Sequence, residues 1–169
     1  MSRFVPVEQY LTTRYEPDCD YVHGELVERA AGLFPHSNAM TEVAVYLRTR
    51  YEAAGYIALP IVRVHMSASL IRVADVCVVR RQRPLPRRLD TPPLVAIEIL
   101  SPEDRADRMF RKLEDFLAFG VPNVWVIDPE ERRAFIHTRD GYTESKDLVL
   151  RAKDCEIVLP LAEVFANLQ

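Results

Sequence analysis

The chain has 169 residues, of which nearly half are apolar and 28% are charged, as is typical of a soluble globular protein. The formal net charge of −3 excludes a basic surface over the whole molecule, so any affinity for nucleic acid must come from a local patch. The three cysteines lack the spacing of a zinc site or a disulfide framework. With neither an apolar run long enough to span a bilayer nor an apolar signal core, we expect one cytoplasmic domain, residues 1–169, without membrane contact.

The N-terminal part of the chain predicts a short helix, a strand pair and a longer helix. Residues 4–13 carry apolar side chains at helical spacing, and residues 21–28 alternate as in a strand or hairpin. Apolar residues then recur every three or four positions over about residues 37–54, and Gly55 closes this second helix.

The remaining sequence alternates strands with one amphipathic helix. The predicted strands lie at about 57–66, 70–79, 94–100, 124–127 and 132–138, and a strand pair and a short C-terminal helix follow them. Ser101 and Pro102 are typical of a helix start. Glu103 and Asp104 favour the positive end of the helix dipole, and the helix ends at Gly120. This order predicts an α/β fold with a mixed sheet covered by helices.

Two acidic residues interrupt segments that otherwise predict buried strands. Asp75 and Glu98 each stand among apolar residues near the ends of neighbouring strands. Because burying an unpaired charge is costly, two such exceptions indicate a bound cation. Two carboxylates at close range suit Mg²⁺, or Mn²⁺ in its place, and a metal of this kind indicates phosphate chemistry.

The helix that follows the Glu98 strand carries Lys112 at the edge of its apolar face. Its long stem can deliver an ammonium group to the strand ends, where it could orient a water molecule or stabilise developing charge. Other interpretations stay open at this point. Lys112 could be an exposed residue or the partner of Glu98 in a buried ion pair, and Asp75 could pair with Arg63 or Arg72.

The loop between the two acidic strands concentrates positive charge. Its five arginines are Arg80, Arg81, Arg83, Arg87 and Arg88. Guanidinium groups suit phosphates, so we expect this loop to contact a nucleic-acid backbone next to Asp75. The alternative is a solvated loop whose charge aids solubility.

The pattern of these residues resembles a known family. It comprises Asp75, Glu98-Ile99-Leu100-Ser101-Pro102, Lys112, Phe116, Gly120-Val121-Pro122 and Trp125-Val126-Ile127-Asp128-Pro129. This set is similar to the Uma-two family of restriction endonucleases, formerly a domain of unknown function, in the PD-(D/E)XK nuclease superfamily. The resemblance spans about Asp20 to Ile136, and Asp20, Gly24 and His36 match the family's early segment.

The chain departs from the superfamily pattern at two positions. Ala74 stands where a proline precedes the aspartate, and Leu100 stands where a lysine follows the glutamate. The family commonly shows the second departure, and the resemblance implies that the lysine role moves to Lys112 on the following helix.

The resemblance implies a restriction-endonuclease-like α/β/α core, with a mixed central sheet flanked by helices and preceded by an N-terminal helix and hairpin. It implies a metal-dependent endonuclease acting on DNA, with Asp75 and Glu98 as metal ligands and Lys112 as the catalytic lysine. Asp20 and His36 are candidate accessory residues, although Asp20 could be a turn residue and His36 a helix cap. Cutting both DNA strands needs two sites, so a homodimer is expected for that activity.

Two further hypotheses remain open beside the nuclease. One is a catalytically inactive nucleic-acid-binding or protein-interaction module that keeps the fold. The other is a structural domain in which Glu98 and Lys112 form a buried ion pair.

Overall fold

The computed structural model describes residues 4–29, 33–102, 105–166 and 168. Within these ranges the helices are α1 (Val7–Thr12), α2 (Phe34–Tyr51), α3 (Ala106–Phe119) and α4 (Leu161–Phe165). The first strands are β1 (Cys19–Val22), β2 (Glu25–Glu28), β3 (Tyr56–His65), β4 (Leu70–Arg80) and β5 (Val95–Ile99). The later strands are β6 (Val124–Asp128), β7 (Arg133–Thr138), β8 (Gly141–Glu144), β9 (Val149–Arg151) and β10 (Val158–Pro160). None of the helices in these ranges is long and apolar enough to cross a bilayer.

Eight of these strands form one mixed sheet. Its order is β2-β1-β4-β5-β6-β7-β8, and β3 pairs with the other edge of β4. Only β5 and β6 are parallel among the described strand pairs, and α3 is the crossover that a parallel connection requires. The strands β9 and β10 form a separate antiparallel pair. The expected α/β fold with a mixed sheet, an N-terminal helix and a hairpin is confirmed.

Helices cover both faces of the sheet, because its central strands are apolar on both sides. All five residues of β5 are buried, as expected for a strand between two layers. On one face Val76 and Ile97 pack with residues of α2 and α4. On the other face Cys77 and Ala96 pack with Leu113 and Phe116 of α3. The polar residues that remain in these strands therefore lie between two apolar layers.

One edge of β4 changes partner along its length, and this change opens a cleft. The strand β1 pairs with β4 at residues 70–71, whereas β5 pairs with it at residues 76–78. Between them, the backbone N–H of Val73 donates to the Asp20 carboxylate (2.7 Å) rather than to a strand. The sheet therefore divides at the middle of β4, where Asp75 lies.

The structure corrects the predicted start of α3 and the predicted position of Asp75 in its strand. The helix expected from Ser101 begins only at Ala106, since the backbone of Arg105 is still extended (ψ 119°). The residues expected in its first turn, Glu103 and Asp104, lie outside the described ranges. Asp75 is not near a strand end, because β4 runs from Leu70 to Arg80 and places it midway.

Arg72 connects the N-terminal hairpin to α3 across the cleft. Its guanidinium is almost fully buried and donates to Asp20 of β1 (2.9 Å) and to Asp115 of α3 (2.6 Å). Replacing Arg72 by Met should lower the free energy of unfolding by about 3–5 kcal/mol, because Asp20 would stay buried without its cation.

Urea denaturation measures this loss. The matched control is Arg133→Met, which removes an exposed arginine–carboxylate pair with Glu144 and should leave the urea midpoint nearly unchanged. Equal midpoint shifts for the two variants would contradict a connecting role for Arg72.

Candidate active site

Asp75 and Glu98 face each other across two antiparallel strands. The last paired residues of β4 and β5 are Val76 and Ile97, and continuing that register by one residue places Asp75 opposite Glu98. Directly opposed residues project from the same face of a sheet. The backbone N–H of Ile99 donates to Asp75 Oδ2 (2.8 Å), which holds the two strands together beyond the last pair. The structure thus brings together the two acids that the sequence singled out.

The Asp75 carboxylate is buried and surrounded by donors. Arg29 Nη2 donates to its Oδ1, and His36 Nε2 lies 3.3 Å from its Oδ2. Burial alone would raise the pKa of Asp75, but the His36 hydrogen bond and the charges of Lys112 and Arg29 outweigh it and lower the pKa to about 2. Asp75 is therefore ionised throughout the neutral range.

Glu98 forms a close ion pair with the predicted lysine and keeps one oxygen free. Lys112 Nζ donates to Glu98 Oε2 (2.6 Å), and both side chains are buried. Glu98 Oε1 is also buried, with no hydrogen-bond partner among the described residues. Burial raises the pKa of Glu98 to about 8; the charge of Asp75 adds to this, and Lys112 opposes it. Burial lowers the pKa of Lys112, but the nearby carboxylates outweigh it and raise that pKa.

The two accessory candidates lie in the same cleft but differ in their contacts. His36 is in the first turn of α2 and points at Asp75; the N-cap of that helix is Leu33, so the capping alternative is wrong. Asp20 lies within β1, so it is not a turn residue either. Its carboxylate accepts from Arg72 and from the N–H of Val73, so it positions the cleft wall.

The cleft around these residues has a volume of about 420 Å³ and a charged lining. Its cationic wall residues are Arg29, Arg72, Arg105, Arg108 and Lys112. Four carboxylates stand against them, including Asp75 and Glu98. A site with buried carboxylates at its base and arginines on its walls suits a ligand that carries both a cation and an anion.

The arginine loop does not lie at this cleft. The loop folds back along the outer edge of β3, where the N–H of His65 donates to the carbonyl of Leu89 (2.8 Å). Since β1 and β5 pair with the opposite edge of β4, β3 lies between the loop and Asp75, and β3 and β4 both lie between the loop and Glu98. The expected position of the loop beside Asp75 is therefore wrong. Its arginines line a separate groove of about 990 Å³.

Sequence reasoning missed Arg29, the cation that pairs with Asp75. The arginines weighed as alternative partners of Asp75 have other partners: Arg63 pairs with Asp18, and Arg72 pairs with Asp20 and Asp115. Arg29 directly follows the short strand β2, and no local pattern distinguishes it from an exposed residue at a strand end. The register of the hairpin on β4 brings it to the cleft, and such long-range pairing is not encoded locally.

The donor set fits a hard divalent cation that keeps several water ligands. Mg²⁺ needs only one or two protein carboxylates, and the free, buried Glu98 Oε1 opposite Asp75 is an oxygen of the required kind. No group of three or more His, Cys, Asp or Glu side chains close enough to hold a metal occurs among the residues described. A metal here would therefore depend on Asp75, Glu98 and water.

Comparison with solved structures shows the class of fold. The chain is similar to the crystal structure of a "putative nuclease belonging to DUF820" from Anabaena variabilis, with a TM-score of 0.84 and 18% identity. The match covers 98% of this chain and 99% of that chain, so the two proteins share one fold throughout. A cryo-EM structure of a DrdV–DNA complex is less similar, with a TM-score of 0.39, 17% identity and coverage of 60% of this chain and 9% of that chain.

Comparison with family patterns identifies the family. The pattern of the family described as "Uma2: Putative restriction endonuclease" matches residues 7–164, nearly the whole sequence. The chain belongs to this family. A search of curated proteins gave no match.

The raised pKa of Glu98 predicts how stability depends on pH. Its folded pKa of about 8 lies above the ordinary value of 4.5, so between these values the folded state binds a proton that the unfolded state lacks. The stabilisation that comes from this bound proton is fully present below pH 4.5 and is lost as the pH rises through about 8. Glu98→Gln, which mimics the protonated form, should therefore gain in melting temperature relative to wild type between pH 5 and pH 8.5.

Thermal denaturation at both pH values tests this expectation, with the exposed Glu163→Gln as the control that should show no such gain. A Glu98→Gln protein that is less stable than wild type at pH 8.5 would instead support a stabilising ion pair with Lys112.

Proposed function

We propose that this protein is a Mg²⁺- or Mn²⁺-dependent endonuclease that hydrolyses phosphodiester bonds in DNA. The observation that carries the proposal is the buried pair Asp75 and Glu98, opposed on two strands, with one free carboxylate oxygen and Lys112 beside it. A second buried acid lowers the stability of the fold, because two neighbouring carboxylates repel each other. Stability alone therefore does not explain this pair. Membership of the restriction endonuclease family supports the same chemistry.

In this proposal Asp75 and Glu98 would hold the metal, which would neutralise phosphate charge and make water a better nucleophile. Hydrolysis adds water across the phosphodiester: the water oxygen would bond to phosphorus, the bond to the leaving sugar oxygen would break, and the proton lost by the water would balance the one gained by that leaving oxygen. Lys112 keeps its proton, so its ammonium group orients that water or stabilises charge on the phosphate oxygens. His36 fixes the orientation of Asp75 from α2. Cleavage of both strands would bring two such clefts together in a homodimer.

We propose that the groove on the outer edge of β3 is a second contact surface for DNA. Seven arginines and two acids line this groove, which gives it a net charge of +5 in a chain of net charge −3. The rest of the molecule therefore carries about −8, so this groove is where a polyanion is attracted most strongly. Arg83, Arg87 and Arg88 are exposed there and can reach phosphates.

A second candidate function is a DNA-binding module without catalysis. The close pair between Lys112 and Glu98 favours it, because a lysine that neutralises the glutamate also competes with a metal. The arginine groove would serve this module equally well. Metal binding separates the two candidates.

Calorimetry with Mg²⁺ and Mn²⁺ should show binding to the wild type and its loss in Asp75→Asn and Glu98→Gln. Lys112→Met should still bind metal but cleave plasmid DNA about 100-fold more slowly or worse, the scale of removing one charge-stabilising donor. The exposed Glu163→Gln is the control for loss of a carboxylate. A wild-type protein that binds neither ion, or acid variants that bind as well as wild type, would overturn the nuclease proposal.

The groove is tested by the salt dependence of DNA affinity, measured without divalent metal. Replacing Arg83, Arg87 and Arg88 together by Ser should flatten the slope of log affinity against log salt by about 0.9 for each phosphate that the protein no longer neutralises. The triple variant Arg139→Ser, Lys146→Ser, Lys153→Ser removes the same charge from exposed positions elsewhere. Equal slopes for the two triple variants would mean that the groove does not bind DNA.

A further inference from the structure

Arg29 occupies the Asp75 oxygen that neither His36 nor the backbone of Ile99 contacts. Asp75 Oδ2 is occupied by the N–H of Ile99 and by His36, whereas Oδ1 accepts from Arg29 Nη2. The Arg29 side chain is only 16% exposed, so the pair is shielded from solvent. A metal that binds Asp75 through Oδ1 must therefore displace the guanidinium.

Displacement of Arg29 from Asp75 by a metal would change the charge balance of the cleft. Without metal, Arg29 pairs with Asp75 and Lys112 pairs with Glu98. A divalent cation on the two carboxylates would supply the charge that both need, so Arg29 and Lys112 would lose their counter-ions. Because uncompensated charge in a buried site is costly, the metal-loaded cleft needs an anion next to these two cations.

We propose that Arg29 is a positioning residue for the substrate phosphate, held on Asp75 until metal binding releases it. The inference rests on the proposed function and adds a residue that it does not assign. A released guanidinium is suited to this role, because its planar set of N–H donors matches two phosphate oxygens, which an ammonium group cannot do. Arg29 would stay at the cleft wall, within reach of a phosphate bound at the metal.

The proposal requires that metal and DNA strengthen each other's binding through Arg29. Metal binding frees a phosphate donor, so it should raise DNA affinity, and DNA should raise metal affinity by the same factor. A permanent Arg29–Asp75 salt bridge predicts instead that removing Arg29 only destabilises the fold and leaves this coupling intact.

Arg29→Met and Arg108→Met form a matched pair of variants, because each removes one arginine from the same cleft. Ca²⁺, which also takes oxygen ligands, is titrated by calorimetry without DNA. A short labelled DNA duplex is then titrated by fluorescence anisotropy with and without Ca²⁺, and a gel confirms that the duplex stays intact.

Arg29→Met should bind Ca²⁺ at least about fivefold more tightly than wild type. The factor by which Ca²⁺ raises DNA affinity should be at least about fivefold smaller in this variant than in wild type. Arg108→Met should weaken DNA binding equally with and without Ca²⁺. Arg29→Lys keeps a charge beside Asp75 but loses the guanidinium. It should therefore bind Ca²⁺ nearly as wild type does and still lose the Ca²⁺-dependent rise in DNA affinity. This variant carries the test if Arg29→Met does not fold.

Two outcomes would overturn the inference, and they differ in what else they exclude. If wild type binds Ca²⁺ but the Arg29 variants show the same coupling between Ca²⁺ and DNA as wild type, Arg29 is structural and the nuclease proposal stands. If wild type binds no divalent metal, both the inference and the proposed function are wrong.

Discussion

The chemistry of the cleft depends on two carboxylates that repel each other and are buried on opposed strands. Asp75 and Glu98 can remain there only if cations and hydrogen-bonding groups from other elements compensate them. Arg29 comes from the end of the hairpin, His36 from α2 and Lys112 from α3, so the site joins elements that the sheet alone would leave apart. The division of pairing along β4 supplies the space for these side chains. Electrostatic compensation and sheet topology are thus parts of one arrangement.

Features of the sequence with a local physical cause were predictable. Apolar residues recur at the spacing of a strand or a helix because one face of each element is buried. The strands, the order of elements and the two acids in apolar segments could therefore all be predicted from the sequence. The boundaries were less predictable: with Ser101 as the cap the helix should start at Pro102, but it starts four residues later, at Ala106, after an extended Arg105. The partner of Asp75 could not be predicted, because Arg29 reaches it only through the register of β1 on β4.

The position of the arginine loop shows why connectivity is a poor guide to proximity. The loop joins the strands that carry both acids, and this suggested that it lies beside them. An eleven-residue β4 instead separates Arg80 from Asp75 by five residues, or roughly 16 Å at the usual rise of a strand. The loop then returns along β3, on the edge away from the cleft. Positive charge is consequently present in two places, at the cleft walls and along the outer edge of the sheet.

The contact between Lys112 and Glu98 is by itself ambiguous, because structural ion pairs and catalytic pairs share the same short distance. Burial resolves part of the ambiguity. A buried ion pair is seldom more stable than apolar residues of the same volume, and here one oxygen of the glutamate is left without a partner among the described residues. The nearby Asp75 adds repulsion to that cost. Selection for stability alone would favour apolar side chains at positions 98 and 112, and the retained charges therefore support the proposed metal site.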